Sequence, residues 1–323
     1  MKRGQDLKDF PLDISLISQP RPPGSAEHRV VRGHLVDTMA AMQLTPYSGG
    51  RYELPYYKSD EHTLSNVVGI LPGRDRSLPA MLLGAHYDSV PETPGADDNA
   101  AAIWVVLNAI AGIEPGTLNR SVIVALFDAE EPPYYMTELM GSTRFYRAQL
   151  CHPLHCTFIF DLVGHDVPVA GLEDLMFITG MESHPSFEPV ISKLTPDPGM
   201  RIIPTLNAYI GDLSDHHVFR TFGDAYLFLS CGRWRHYHAP TDTLDKLNMR
   251  KMQVLVSYVR SLLAECDQSA FPVERPEYDT TATELRFMNE HLGRLLGQLK
   301  IPVLRSRKDI DRLTQTMTGL FGL

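Results

Sequence analysis

An α/β fold, with a mostly parallel (mixed) central sheet and helices on both faces, is predicted by three features of this sequence. Short apolar runs rich in Val, Ile, Leu and Phe recur with little polar alternation, as in strands buried on both faces. Segments with apolar residues at helical spacing lie between them, and that alternation favours parallel strands joined by helical crossovers. At 323 residues and 43% hydrophobic content, the chain is also long enough to bury a sizeable core.

The elements follow in order. A first helix is predicted over residues 24–43, where Val30, Val31, Leu35, Met39 and Met42 share helical spacing. Strand-like runs come next: NVVGIL (66–71), AMLLGAHYD (80–88), SVIVALFDAEE (121–131), CTFIFDLVG (156–164), DLMFITG (174–180) and DAYLFLSCG (224–232). Helix-like stretches at 99–113, 141–150, 184–194 and 245–265 separate them. Residues 1–267 are read as the catalytic domain. The Pro- and Thr-rich segment 268–283 is read as a linker, and two amphipathic stretches at 284–300 and 307–323 as a C-terminal helical extension that clasps the main domain or a second subunit.

Composition narrows the function. A net charge of −9 disfavours nucleic acid as a partner, because phosphate binding needs a basic face. There is no run of about 18 apolar residues, so no membrane span is expected. The opening MKRGQDLKDFPLD has basic residues but no apolar stretch. It predicts a cytoplasmic protein as written, secreted or periplasmic if a leader was removed. Cys151, Cys156, Cys231 and Cys266 form neither a disulfide framework nor a CxxC pattern and are read as buried free thiols. The 13 histidines, several of them clustered, are a first hint of metal.

Ligands of open α/β sheets bind beyond the carboxyl ends of the strands. There the sequence places His86 and Asp88, then Glu130 and Glu131, then Asp161, then His236 and His238. The loop GADDNAAA (95–102) adds Asp97 and Asp98 just before a helix. Taken singly, each has an ordinary explanation: a polar strand end, a solvated acidic pair, an N-cap cluster. Together they require several coincidences at one sheet edge. Two imidazoles and three carboxylates make a mixed N/O donor set suited to Zn²⁺. They are too many for one tetrahedral ion and fit two ions that share one carboxylate. His216, His217 and the Tyr134-Tyr135-Met136 stretch are candidates for a substrate pocket; His152, His155, His165 and His184 are read as structural.

GAHYDS (84–89), GADDNA (95–100), Glu130-Glu131 followed by MGS (140–142), FDLVG (160–164), SDHHVF (214–219) and HAPTDT (238–243) resemble, in order, the motifs of the zinc aminopeptidase family. That family includes the bacterial leucyl aminopeptidases, glutamate carboxypeptidase-like enzymes and glutaminyl cyclases. The resemblance covers about residues 20–265. It implies two zinc ions per chain, with His86 and Asp161 on one, Glu131 and His238 on the other, and Asp98 bridging. It further implies that Asp88 orients His86, that the Asp98–Asn99 bond is cis, and that Glu130 is the general base for a metal-activated water. The expected activity is removal of N-terminal residues from peptides or small peptide-like substrates. Against this, PPYYMTELM (132–140) is longer than in the short aminopeptidases, as in glutaminyl cyclases, so cyclisation is the alternative. HAPTDT is closer to the peptidase pattern, and Tyr237 stands where cyclases have tryptophan. A binding module without activity would have lost ligands, and all are present. A serine hydrolase would need GxSxG, which is missing.

Overall fold

The protein is described by a computed structural model covering residues 12–60, 62–273 and 278–321, with side chains described to Met317. Most of the segment read for a leader, and part of the 268–283 linker, lie outside the described residues.

Helix α1 (Ala26–Ala41) starts where the Ser25 hydroxyl accepts from His28 N at 3.0 Å, filling one of the donors a helix N-terminus leaves open. It buries Val31, Leu35 and Met39, one helical turn apart, and leaves Val30 exposed. Strands β1 (Thr45–Pro46), β2 (Glu53–Lys58) and β3 (Thr63–Leu71) follow. Then come β4 (Ala80–His86), α2 (Ala102–Ala111), β5 (Val122–Phe127), the short α3 (Gly141–Arg144) and β6 (Leu154–Phe160). After these come β7 (Leu175–Thr179), α4 (Phe187–Lys193), β8 (Arg201–Thr205), α5 (His216–Thr221) and β9 (Tyr226–Ser230). The chain ends in α6 (Met249–Gln268), α7 (Thr281–Gln298) and α8 (Arg307–Phe321).

Among the described residues the strands form one nine-stranded sheet in the order β1-β3-β5-β4-β6-β9-β7-β8, with β2 also on β3. The sheet is mixed. Its centre, β5-β4-β6-β9, is parallel throughout, and so is the outer pair β7–β8. The other joints are antiparallel. All seven residues of β4 and all six of β5 are buried, as their unbroken apolar runs require. Alternation along β4 sends Met81, Leu83 and Ala85 into the larger core and Ala80 and Leu82 into a smaller one on the opposite face. The larger core also takes α1, α2, α6 and, through Phe287, Met288 and Leu292, α7. The smaller takes Phe145 and Phe219. Among the described residues no helix is long and apolar enough to cross a membrane. All four cysteines are free; Cys151 is exposed rather than buried, because it lies past the end of the 141–149 helical segment, where the chain turns to enter β6.

The chain leaving β5 is clamped. Asn66 accepts from Asp128 N at 3.0 Å and donates to Gly141 O at 2.9 Å, while Gly141 N donates to Asp128 O at 2.7 Å. A Cβ at position 141 would lie 2.2 Å from Asp128 O and 2.5 Å from Asn66 Oδ1. Gly141→Ala is therefore expected to lower stability by ~1–3 kcal/mol, the usual cost of overpacking, measurable by denaturant unfolding.

Candidate active site

The four central parallel strands are neighbours pointing the same way, so their carboxyl ends share one edge. His86 is the last residue of β4, Asp161 follows β6, and Glu130 and Glu131 stand three and four residues past β5. His238 sits on the loop after β9. Asp98 enters from the loop before α2, where Gly95 is left-handed (φ 59°). Glycine adopts that conformation readily, and any Cβ there would fall 2.3 Å from Asp98 O. The Asp98–Asn99 bond is cis. Three non-glycine residues at this edge, Ala129, Leu162 and His238, also have positive φ. Each conformation is unfavourable by ~1–2 kcal/mol, and such residues gather where surrounding structure fixes a site.

The side chains converge. His86 Nε2 lies 3.2 Å from Asp98 Oδ1, 3.7 Å from Asp161 Oδ1 and 3.9 Å from Glu130 Oε2. His238 Nε2 lies 3.3 Å from Asp98 Oδ2 and 3.1 Å from Glu131 Oε2. Three donor triads result among the described residues: His86-Asp98-Asp161 first, Asp98-Glu131-His238 second and His86-Glu130-Glu131 third; Asp98 joins the first two. Both ring nitrogens of His86, with Asp98 Oδ2 and Asp161 Oδ1, are buried without a hydrogen-bond partner among the described residues. Buried polar atoms are nearly always satisfied, so this cluster fits a cation.

Electrostatics agree. Burial, reinforced by Asp98, pushes Glu131 up to about 7 against the pull of His238. Burial, then Glu131, Asp161 and Asp215, push Glu130 well above the usual carboxylate range despite His86. Burial also raises Asp215 and Asp242 to about 7. Burial would lower His238, but Asp98 and Glu131 outweigh it and lift it to about 9. Carboxylates crowded together away from water resist ionising, which a bound cation would relieve.

A pH dependence follows. A carboxyl group whose folded pKa is raised stabilises the fold while protonated and loses that contribution as pH climbs through the carboxylate range to about 7. The raised His238 contributes below its ordinary value and loses it towards about 9. Both slopes have the same sign. The gap in thermal stability between zinc-saturated and chelated protein is expected to widen between about pH 5 and 9. Thermal unfolding with EDTA or zinc measures it; a gap independent of pH would contradict this reading.

Neighbouring groups hold the site in shape. Asp88 accepts from Glu130 N and Glu131 N, both at 3.0 Å, and its Oδ1 lies 3.5 Å from His86 Nδ1. One carboxylate thus faces the imidazole and fixes the glutamate pair. Asp97 turns away from the cluster, accepting from Gly164 N at 2.7 Å and pairing with His165 Nδ1 at 2.6 Å. Asp242 accepts from Asp97 N at 2.9 Å and Asp98 N at 3.0 Å, and fully buried Arg21 donates to Tyr87 O, Pro94 O and Gly95 O. Sequence reasoning missed both. Asp242 lies within HAPTDT, so its place in the motif was a usable signal; Arg21, in QPRPPGS, offers none.

The remaining candidates make their hydrogen bonds, ion pairs and ring contacts with residues outside the five predicted ligands. His216 starts α5, and its ring stacks 4.1 Å from that of Phe228. His217 lies 3.1 Å from Asp212. Tyr135 donates to Asp212 O and Tyr134 meets His62 Nε2 at 2.8 Å, so both hydroxyls have partners. Of the histidines read as structural, His155 meets Cys266 O at 2.9 Å and His184 meets Pro272 O at 3.0 Å. His236 pairs with the Thr241 hydroxyl at 2.8 Å.

A half-parallel, half-antiparallel α/β sheet, with imidazole–carboxylate clusters at the ends of its parallel strands, defines the class of metal-dependent hydrolases. The model of peptidase family M28 matches residues 66–263, and the chain belongs to that family. It is 26% identical over 231 residues to the uncharacterized protein YfbL of Escherichia coli K12, covering 57% of this chain and 66% of that protein. It is 24% identical over 261 residues to human endoplasmic reticulum metallopeptidase 1, covering 71% of this chain but 26% of that protein. The chain thus spans about two thirds of the first relative and about a quarter of the second. Among solved structures, the LapA aminopeptidase of Legionella pneumophila superposes with TM-score 0.61 at 17% identity, covering 80% of this chain and 69% of that chain. The glutaminyl cyclase of Tannerella forsythia gives 0.61 at 14%, covering 77% and 94%. The BSAP zinc aminopeptidase of Bacillus subtilis gives 0.52 at 22%, covering 64% and 51%. These likenesses establish the fold.

Proposed function

We propose that this protein is a zinc-dependent aminopeptidase that removes N-terminal residues from peptides. The observation that carries the reading is the orientation of Asp98, whose Oδ1 faces His86 at 3.2 Å while its Oδ2 faces His238 at 3.3 Å. His86, Asp98 and Asp161 would hold one ion; Asp98, Glu131 and His238 would hold a second. Bound zinc supplies Lewis-acid chemistry, lowering the pKa of water and polarising the scissile carbonyl. Glu130 is the proton carrier. Its backbone is fixed by Asp88 at 3.0 Å, and burial among other carboxylates raises its proton affinity. It takes the proton of the attacking water and delivers it to the leaving amine. Asp88 positions His86 and both glutamates at once.

The test is a panel of amino-acid 4-nitroanilides, run beside a peptide with N-terminal glutamine, on zinc-loaded protein. Nitroaniline release that chelation abolishes supports the aminopeptidase. Release of ammonia from the glutaminyl peptide with no nitroanilide hydrolysis would assign the glutaminyl cyclase reaction instead.

A further inference from the structure

A cavity of about 290 Å³ opens beside Asp161 and Tyr237, the neighbour of His238. That volume is near the low end of the ~300–1,000 Å³ of ligand pockets and suits one side chain rather than a long peptide. Its walls come from two sources. Phe177, Ile203 and Phe228 belong to the sheet, and Leu162 lies just past the end of β6. Met288 and Leu292 of α7, with Leu313 and Met317 of α8, close the far side. The M28 match stops at residue 263, before either helix.

The wall is fixed, not draped. Arg307 at the start of α8 donates to both oxygens of Glu284 on α7, at 2.7 and 2.9 Å. Asn289 and Leu304 exchange hydrogen bonds at 2.9 Å in both directions. The pair is tied to the body where Tyr209, itself a cavity residue, donates to Asp311 at 2.6 Å and Arg201 of β8 donates to His291 O at 2.8 Å. The Arg233 guanidinium, also in the lining, lies 4.9 Å from the Tyr237 ring centre and adds a cation to a mostly apolar pocket.

We propose that α7 and α8 are the specificity wall of this enzyme, and that Met288, Leu292, Leu313 and Met317 receive a large apolar side chain on the substrate's N-terminal residue. The proposal rests on the aminopeptidase reading. The α-carbon of that residue is one bond from the scissile carbonyl, so its side chain must lie within a few ångströms of the metal ligands. The cavity that begins at Asp161 occupies that space. Apolar pockets discriminate by ~10–200-fold per methylene-scale change, so leucine and phenylalanine should be favoured over alanine by at least ~10-fold.

The experiment compares wild type with Leu313→Trp, which fills the pocket, and Met317→Ala, which widens it. It uses two readouts: kcat/KM on leucyl, phenylalanyl and alanyl 4-nitroanilides, and calorimetric Kd for leucine and alanine hydroxamates on zinc-loaded protein. Wild type should show the leucine preference in both. Leu313→Trp should cut the Leu/Ala ratio at least ~10-fold, and Met317→Ala should shift preference towards phenylalanine, with zinc content unchanged. A protein that cleaves no nitroanilide but keeps the hydroxamate preference and its loss in Leu313→Trp would refute the peptidase reading and retain the pocket. Nitroanilide cleavage or hydroxamate binding indifferent to side-chain size, ratios in both variants equal to wild type, or absence of any hydroxamate binding would overturn the pocket.

Discussion

Glu130→Gln is expected to lower kcat by at least ~10²-fold while leaving zinc content, folding and KM close to wild type. The substitution keeps the size of the side chain and removes the lone pair that accepts a proton; general acid–base catalysis is typically worth ~10²–10⁴-fold. The backbone hydrogen bond from residue 130 to Asp88, at 3.0 Å, survives the change. Glu131→Gln should differ. Its carboxylate faces His238 at 3.1 Å within the second donor triad, so its loss should weaken a metal bond, and excess zinc should restore part of the activity. Steady-state kinetics with elemental analysis separates the two. Near-normal activity in Glu130→Gln, or its rescue by zinc, would show that Glu130 is not the base.

Asp98→Ala is expected to lose most of the bound zinc and nearly all activity, because it removes an oxygen from both the first and the second donor triad. Asp97→Ala is the contrasting variant. Asp97 gives its oxygens to Gly164 N and His165, not to the cluster. Its removal leaves a buried N–H unsatisfied and should cost ~1–3 kcal/mol of stability, while zinc per folded chain stays normal. Equal zinc loss in the two variants would mean that the bridging group has been assigned to the wrong residue.

The central strands were legible because each is an unbroken apolar run, and the site was legible because each run ends in a His or a carboxylate. The expected cis bond at Asp98–Asn99 is present. What escaped the sequence has physical reasons. The strands that gave no signal, β1, β2 and β8, each contain a proline, Pro46, Pro55 and Pro204, and all lie at sheet edges. An edge strand tolerates the missing N–H that proline brings, whereas proline in a sequence argues against a strand. Helix α5 has six residues, too few for a helical period to declare itself. Arg21 acts on carbonyls 66 to 74 positions away, and contacts so distant leave no local pattern. The wall formed by α7 and α8 was hidden similarly: their amphipathic stripes were visible, but not that the apolar faces would close a cavity beside Asp161.

Zinc stoichiometry of the saturated, gel-filtered protein tests the proposed two-ion centre bridged by Asp98 most directly. Two zinc ions per chain, falling together in Asp98→Ala, is the predicted result. One zinc per chain at saturation, or two that persist without Asp98, would contradict it.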